Sequence, residues 1–573
     1  MKLTFNKIPS PNSSGQDSPG QDSPGQDISD QDTSGQDIAF IILLTLLAAT
    51  LYGFFHFSGF VGPDEVRYAF GFQDWSNEGE RLFNYEMSFG YYLVLKPIIS
   101  LLPIDFIPFF LNIISSLAGT LLLIPLYRLI KALSNSRIAL ATGLFLIFSP
   151  PYWLLTRYGH PMPIALFFSF GSMAVFNRAL DTQSPKKGMW LGLSILLSLC
   201  ALLIRADTLL SFLVPLGIVL YKEDKFKKSW PFLLSFYGLT LLGYLVLKWW
   251  ILGYIVNPIG GTVVYHLENQ IPNLSFVIKS LTKNMALFFV GFLPLLTICF
   301  FIALWKLFRN KEWRFLIFIG LWTLPIAIFL PFWGMDFSRL CVPILPPLLF
   351  TLVRWLDNVS WIRYKYVSFL VVLIASHLTL TLTTPLLIKF YPFKTFYQNR
   401  PITLVPIEPI FSDYFLRRDY LEEQQRMVRQ VIQRTDRNVV IISDGHHFPW
   451  YEYELLIRRK ALCSPASVTM KDSDWLTCST GQNTFYAQVI EWQSSTETVN
   501  NLILLLKKDF QGCLFHINSF MASMLPNRLF LDKSELVSVL EKNPALINQY
   551  REIFQVPAPI KNQSSKEKNG QKN

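Results

Sequence analysis

The stretch IAFIILLTLLAATLYGFFHF, residues 38–57, decides the fold class of this chain. It contains no Asp, Glu, Lys or Arg. An α-helix rises about 1.5 Å per residue, so about twenty apolar residues cross the roughly 30 Å hydrocarbon core of a bilayer. The run is too long for a secretory signal and no basic residue adjoins it. We therefore predict a transmembrane helix that is retained in the protein.

Runs of the same kind recur along the chain, and the composition agrees with them. Hydrophobic residues make up 51% of the chain and charged residues only 16%, against about 25% in soluble domains. We predict an α-helical polytopic membrane protein with about eleven transmembrane helices. Besides 38–57, the long uncharged runs are Phe106–Tyr127, Ile138–Thr156, Trp230–Leu247, Met285–Trp305 and Phe315–Met335. The shorter or polar-flanked runs are Met162–Asn177, Gly188–Ile204, Thr208–Tyr221, Cys341–Val353 and Val367–Leu387.

The net charge of +11 comes largely from short basic clusters between the apolar runs. Such clusters indicate membrane orientation, and they do not indicate a nucleic-acid partner. They all fall on the cytoplasmic side if the N-terminus is cytoplasmic and residues 59–103 stay outside. That outer segment then contains no span. Its apolar part, Ser88–Pro103, is interrupted by Lys96 and Pro97, and we predict that it forms a helix along the outer interface.

The composition divides the chain into four parts. Residues 1–37 carry five-residue repeats such as GQDSP and almost no apolar residues, which predicts a disordered cytoplasmic arm. A transmembrane domain follows at 38–387, with an outer loop at 59–104. Residues 388–560 have the composition of a soluble domain outside the cytoplasm, and 561–573 form a polar tail that we predict to be disordered.

The soluble part alternates between predicted helices and predicted strands, which is typical of a small α/β domain. We predict strands at Asn438–Ser443 and Gly512–Ile517, and helices at Tyr420–Arg434, Asn501–Lys508 and Lys533–Glu541. Three of the six cysteines lie in this part: Cys463, Cys478 and Cys513. Outside the cytoplasm two of them can form one disulfide and leave one thiol, and the sequence alone does not choose the pair.

The chemically richest stretch is GPDEVRYA, residues 62–69, directly after the first predicted span. Asp64 and Glu65 are adjacent carboxylates, and Arg67 and Tyr68 follow them. A carboxylate at the membrane surface can deprotonate a hydroxyl acceptor, and nearby cations can stabilise a phosphate leaving group. This combination suits sugar transfer from a lipid phosphate. The alternative is an ordinary loop in which both carboxylates are simply solvated.

GPDEVRYA in this position resembles the first-loop motif of the GT-C glycosyltransferases, especially the aminoarabinose transferases and protein O-mannosyltransferases. Three more stretches resemble the same family in the same order, and the similarity covers roughly residues 38–387. They are NYEMSFGYYLVLKP at 84–97, FSPPYWLLTRYGHPMPIALFF at 148–168 and FSRLCVPILPPLLF at 337–350. The resemblance implies a GT-C-like membrane domain that uses lipid-phosphate-linked sugars, with 59–104 as its catalytic loop.

The resemblance also implies roles for individual residues. Asp64 would be the catalytic base, and Glu65 would orient the site or hold a metal. Arg339 would be a second phosphate contact, the alternative being an arginine that snorkels to the interface. Arg205 would reach the same cavity, or it would form an internal ion pair with Asp207. The alternative for Arg67 and Tyr68 is that they hold the loop. The residues implied to contact the donor phosphate are Arg67, Tyr68, Lys96, Arg205 and Arg339.

Two departures from the family pattern limit which residue roles the resemblance implies for this chain. Relatives that transfer aminoarabinose have Glu-Lys-Pro where this chain has Glu86, Met87 and Ser88. Either Lys96 or an arginine takes the role of that lysine, or the donor differs. Where relatives often have an aspartate, this chain has His160. The cofactor is therefore unknown: a divalent metal ion stays open, with Glu86 and His160 as candidate ligands.

A second long outer loop, Tyr254–Lys283, carries Tyr265, His266 and Glu268. In the family such loops close over the donor, so Tyr265 and His266 are candidate substrate contacts. The alternative is a plain connector between two spans.

Taken together, the sequence predicts an inverting membrane glycosyltransferase with Asp64 as its base. The predicted partners are a polyprenyl-phosphate sugar donor, a hydroxyl acceptor in the cell envelope (glycan, lipid or protein) and the lipid bilayer, with no nucleic acid. We expect a multi-pass protein of a bacterial plasma membrane whose C-terminal domain is extracytoplasmic. Two other interpretations are a transporter or flippase of lipid-linked sugars, and a membrane anchor that presents the soluble tail.

Overall fold

A computed structural model describes most of the membrane part and the strands of the tail. The described residues are 35–54, 65, 68–69, 80–157, 159–181, 186–222, 226–252, 294–333, 342–359, 364–376, 429, 433, 439–443, 454, 462–465, 475–480, 483–489, 514–518 and 538.

Where the structure describes the membrane part, it consists of α-helices and of short 3-10 turns at Ile104–Phe106, Ala206–Ser211 and Val342–Ile344. In the described residues the helices are α1 Gly35–Phe54, α2 Glu80–Ile99, α3 Ile107–Leu133, α4 Ser136–Ile147, α5 Pro150–Arg157, α6 Met162–Asp181, α7 Lys187–Ile204, α8 Val214–Tyr221, α9 Phe226–Leu252, α10 Pro294–Arg309, α11 Trp313–Trp333, α12 Leu345–Asp357 and α13 Lys365–Ser376.

Five of the described helices are long and apolar enough to cross a bilayer: α1, α3, α6, α7 and the Ser229–Trp250 part of α9. Helices α4 and α5 together make a sixth candidate, bent by 68° at their junction. Prolines Pro150 and Pro151 begin α5, and proline does not continue a preceding helix. The chain is thus a polytopic helical membrane protein. Each of the eleven predicted runs overlaps a described helix, but the number of spans stays a prediction.

Helix α1 begins at Gly35, before the apolar run, because Asp37 is bound inside the bundle. The Asp37 carboxylate accepts hydrogen bonds from Tyr127 Oη at 2.6 Å and Ser136 Oγ at 2.7 Å, and it forms an ion pair with Lys131. Asp37 belongs to the last GQD repeat of the arm. The predicted boundary of the disordered arm therefore overlaps this helix by three residues, 35–37; the rest of the arm lies outside the described residues.

A polar network connects the helices at the end of the bundle that carries Asp37. Tyr221 Oη donates to the carbonyl oxygen of Leu133 at 3.2 Å and accepts from Arg354 at 3.2 Å. The same arginine binds Glu312 through Nε at 3.0 Å and a terminal nitrogen at 2.7 Å. These contacts gather the loops that the charge pattern assigns to the cytoplasm. The orientation of the termini stays a prediction.

Helix α2 covers the opposite end, and it differs in extent from the predicted Ser88–Pro103. It begins at Glu80 and ends at Ile99, with non-helical backbone at Ser88. One side is buried, and the other exposes Leu93, Val94 and Ile98. Apolar residues on the outward side suit a helix at a lipid interface, which stays our prediction. Gly90 permits close contact with α7, since a Cβ there would lie 2.7 Å from the backbone of Leu203.

The described strands of the tail are β1 Val439–Ser443, β2 Leu462–Pro465, β3 Trp475–Thr480, β4 Asn483–Val489 and β5 Leu514–Asn518. They form one mixed sheet in the order β2-β3-β4-β1-β5. Strand β1 pairs in parallel with β4 and β5, and β3 pairs antiparallel with β2 and β4. The predicted strands at 438–443 and 512–517 are confirmed as β1 and β5, whereas the other three were not predicted. The predicted helices lie almost wholly outside the described residues, so the α/β class stays a prediction.

Candidate active site

Glu65 is completely buried, with 0% of its surface exposed. Its Oε1 accepts a hydrogen bond from the backbone N–H of Gly159, just beyond α5. Glycine is needed there, because a Cβ would lie 2.6 Å from the Cβ of Leu111 on α3. A buried carboxylate is stable only when hydrogen bonds or charges compensate for lost hydration. The interpretation of Glu65 as a solvated loop residue is therefore wrong, and this contact holds the motif against α3 and α5.

Tyr68 is the second described member of the motif, and it is 3% exposed. Its hydroxyl accepts a hydrogen bond from Arg205 at 2.9 Å. Its ring packs edge-on against Tyr91 of α2, with 5.7 Å between ring centroids, and against His160 at the same distance. Tyr68 thus connects the loop after α1 with the surface helix, the turn after α5 and the end of α7.

Arg205 caps the C-terminal end of α7 and is 8% exposed. Its Nε donates to Asp207 Oδ1 at 3.1 Å, and a terminal nitrogen forms an ion pair with the other carboxylate oxygen. The remaining terminal nitrogen donates to Tyr68. Arg205 therefore forms the predicted internal ion pair and also contacts Tyr68 of the motif, while its contact with the donor phosphate stays a prediction. The planar guanidinium provides donors in fixed directions for all three contacts.

His160 is fixed chiefly through its backbone. Its N–H donates to Ser115 Oγ at 3.0 Å, and the same hydroxyl donates to its carbonyl oxygen at 2.8 Å. Its Nδ1 accepts from the N–H of Met162 at 3.1 Å, so that nitrogen carries no proton and is occupied. In the described part of the chain no three His, Cys, Asp or Glu residues come together as a metal site.

Lys96 lies in the last turn of α2, eight residues beyond the kink at Ser88. At about 1.5 Å per residue this is roughly 12 Å along the helix. Ser88 itself is buried, and its hydroxyl has no hydrogen-bond partner among the described residues. Several predicted site residues cannot be placed, since Asp64, Arg67, Tyr265, His266 and Arg339 and the side chain of Glu86 lie outside the described residues.

Two buried cations near this end were missed by the sequence analysis. Arg157 ends α5, is 1% exposed and lies over the ring of Trp153 at 5.8 Å from its centroid. Lys248, in the last turns of α9, is 0% exposed and lies 5.8 Å from the ring centroid of Tyr244. Each directly follows a predicted apolar run, Ile138–Thr156 and Trp230–Leu247. The sequence signal that could have identified them is a single basic residue directly after each of these apolar runs.

Short chains of contacts connect these two cations to the motif. Arg157 precedes Gly159, which binds Glu65, by two residues. Lys248 is one helical turn beyond Tyr244, which packs with Phe89 of α2 and Leu202 of α7 in one apolar cluster. Arg205 follows that part of α7 and binds Tyr68. Charged side chains inside a membrane domain are costly and are usually paired or functional, and Arg205 is paired with Asp207.

No protein-family model matches the chain, and no curated protein matches its sequence. Solved structures do resemble it. ArnT from Cupriavidus metallidurans bound to undecaprenyl phosphate is 16% identical with a TM-score of 0.47, covering 74% of this chain and 85% of that one. Its apo state is 17% identical with a TM-score of 0.48, covering 73% and 84%.

A third structure is the archaeal oligosaccharyltransferase AglB from Archaeoglobus fulgidus in complex with an inhibitory peptide and a dolichol-phosphate. It is 12% identical with a TM-score of 0.40, covering 73% of this chain and 63% of that one. ArnT and AglB are members of the GT-C superfamily, which the sequence motif also resembles. At these identities and TM-scores the case for function rests on the site residues.

Proposed function

We propose that this chain is a membrane glycosyltransferase that transfers a sugar from a polyprenyl phosphate to a hydroxyl acceptor outside the cytoplasm. The observation that supports this most directly is the burial of the motif residues: Glu65 is bound to Gly159, and Tyr68 to Arg205. A loop that only connects two spans has no need for such anchors. The motif resembles that of enzymes with this donor class, and the buried cations suit a phosphate.

In the proposed reaction Asp64 is the base. The acceptor oxygen attacks the anomeric carbon, and its proton passes to the Asp64 carboxylate. The bond between the anomeric carbon and the phosphate oxygen breaks, its electrons stay on that oxygen, and polyprenyl phosphate leaves with inversion at the sugar. Glu65 is a positioning residue, because its bond to Gly159 fixes the backbone next to Asp64.

Arg205, Arg157 and Lys248 supply positive charge for the donor phosphate in this proposal. Lys248 takes the place of the lysine that the motif at 86–88 lacks, since Tyr244, one turn earlier, packs against Phe89 beside that position. Lys96 is farther along α2 and is the weaker choice. Arg67 and Arg339 remain proposed phosphate contacts, and Tyr265 and His266 remain proposed parts of a loop that closes over the donor.

A transporter or flippase of lipid-linked sugars is not favoured. Its pathway needs ionisable groups along the bundle interior. In the described residues the ion pairs Lys131–Asp37 and Arg205–Asp207 lie at opposite ends of the bundle instead. If the membrane part only anchored the tail, the buried hydrogen bonds of Glu65 and Tyr68 would have no function.

The direct test is Asp64→Asn in isolated membranes supplied with synthetic undecaprenyl-phosphate pentose or hexose, with release of undecaprenyl phosphate as the readout. Loss of a general base lowers rates by roughly a hundredfold or more. The matched control is Asp105→Asn, an exposed carboxylate in the turn before α3, which should act as wild type. Equal release by Asp64→Asn and wild type would exclude Asp64 as the base, and no release by wild type from either donor would exclude the donor class.

A further inference from the structure

Two cysteine positions of the tail are paired in the register of neighbouring strands. Strands β2 and β3 run antiparallel, and their register pairs Leu462 with Ser479, Cys463 with Cys478, Ser464 with Thr477 and Pro465 with Leu476. Residues directly opposite in an antiparallel pair lie on the same face of the sheet. The register therefore brings the two cysteine positions together on one face.

Pro465 identifies which kind of pair the cysteines form. Opposite residues in an antiparallel ladder alternate between hydrogen-bonded pairs, which exchange two N–H···O bonds, and non-hydrogen-bonded pairs. Proline has no N–H, so Pro465 and Leu476 form a non-hydrogen-bonded pair. Strand β2 is at the edge of the sheet, where proline is tolerated in this way. Cys463 lies two residues from Pro465, so Cys463 and Cys478 also form a non-hydrogen-bonded pair.

Non-hydrogen-bonded pairs have Cα atoms about 4.5 Å apart, at the short end of the roughly 4.4–6.8 Å range found in disulfides. The third cysteine of the tail, Cys513, is the other candidate partner for a disulfide. Cys513 directly precedes β5, which lies at the opposite edge of the sheet, three strand spacings from β3. Three spacings of about 4.8 Å make roughly 14 Å, beyond the reach of a disulfide.

We propose that Cys463 and Cys478 form a disulfide and that Cys513 is the remaining thiol. In the bridge each sulfur loses its proton, and the two thiols together give two electrons to a thiol–disulfide oxidoreductase, whose own disulfide is reduced to two thiols. The bridge ties the edge strand β2, which would otherwise rely on backbone pairing with β3 alone, to the rest of the sheet. It requires an oxidising compartment, as expected for a tail outside the cytoplasm. The proposal does not depend on the transferase function.

The test is mass spectrometry of the full-length protein from its native membranes, alkylated with N-ethylmaleimide during lysis and digested without reductant. We expect one linked peptide pair containing Cys463 and Cys478, with Cys513 alkylated. In Cys463→Ser the partner Cys478 should become alkylated, whereas the matched variant Cys513→Ser should keep the linked pair.

Alkylation of both Cys463 and Cys478 in the unreduced wild-type protein would overturn the proposal. A linked pair that contains Cys513 would overturn it as well. Neither result would bear on transfer activity, because the motif at 62–69 and its anchors belong to the membrane part. The free cysteines Cys200 and Cys299 lie in helices α7 and α10 and serve as internal markers of complete alkylation in denaturant.

Discussion

At the scale of single residues, Arg205 connects the most parts of the site. It binds both oxygens of Asp207 and the hydroxyl of Tyr68 while 8% exposed. A lysine has one charged nitrogen on a flexible stem and lacks the planar fork that reaches all three oxygens. The identity of this residue as arginine, and not only its charge, therefore matters for the geometry of the motif.

We expect Arg205→Lys to lower the rate of undecaprenyl phosphate release by about tenfold to a hundredfold, since hydrogen bonds to charged groups contribute about 1.5–3 kcal/mol each. The measurement is release from the synthetic donor at saturating and limiting concentrations, with thermal unfolding as a check of integrity. Arg178→Lys, at an exposed position beside Trp190, is the control. An Arg205→Lys enzyme with wild-type kinetics would contradict the role of the guanidinium geometry.

Lys248 provides a separate test of the proposed phosphate site. Methionine matches its length without its charge, so Lys248→Met should weaken binding of undecaprenyl phosphate by about tenfold or more, the equivalent of about 1.4 kcal/mol. Binding is measured by intrinsic tryptophan fluorescence in detergent micelles. The matched control is Lys187→Met, because Lys187 also lies over an aromatic ring, at 4.0 Å from Phe232, but begins α7 at the opposite end. Equal weakening by both variants would refute a specific contact.

At the scale of elements, the junction between α5 and α6 is held by tight packing. A Cβ at Gly159 would meet the Cβ of Leu111 at 2.6 Å and its carbonyl carbon at 3.3 Å, so the turn has to move. We expect Gly159→Ala to cost about 1–3 kcal/mol of stability through overpacking and to reduce transfer, because the amide that binds Glu65 is displaced. Thermal unfolding and release assays measure the two effects.

The control for that variant is Gly192→Ala in α7, where nothing lies within 4 Å of the added Cβ. Alanine is the better helix former by about 0.5–1 kcal/mol, so this variant should be as stable as wild type or more stable. Wild-type transfer by Gly159→Ala would show that the Glu65 anchor tolerates movement of the turn.

The elements also show what the sequence can predict. Apolar runs locate helices because the bilayer requires them, so all predicted runs overlap helices in the described residues. Helix ends were less predictable. Gly35 lies inside α1 because Asp37 binds Tyr127 and Ser136, which are far away in the chain. The strands β2, β3 and β4 were missed because polar residues interrupt their apolar residues, and because strand pairing is not visible in the local sequence pattern.

The candidate site shows the same difference between features that are visible in the sequence and features that depend on the fold. Glu65, Tyr68 and Arg205 were predicted from a motif and a charge, and the structure connects two of them directly. Gly159, the partner of Glu65, could not be predicted because it meets the motif only in the folded chain. Asp207, the partner of Arg205, could be predicted because it is two residues away in the sequence. Lys248 was missed because its importance depends on the packing of Tyr244 against α2, which pairs residues more than 150 positions apart.

At the scale of the whole molecule, the two ends of the bundle differ in a way that predicts its orientation. One end has the network of Asp37, Tyr221 and Arg354 with the basic loops, and the other has the proposed site. We expect a cysteine at Leu101, which is 85% exposed beside α2, to react with a membrane-impermeant maleimide in intact cells. A cysteine at Asn310, exposed between α10 and α11, should react only after permeabilisation. Both substitutions are made in Cys513→Ser to remove the remaining tail thiol. The reverse labelling pattern would place the proposed site in the cytoplasm and would refute both the positive-inside assignment and an extracytoplasmic acceptor.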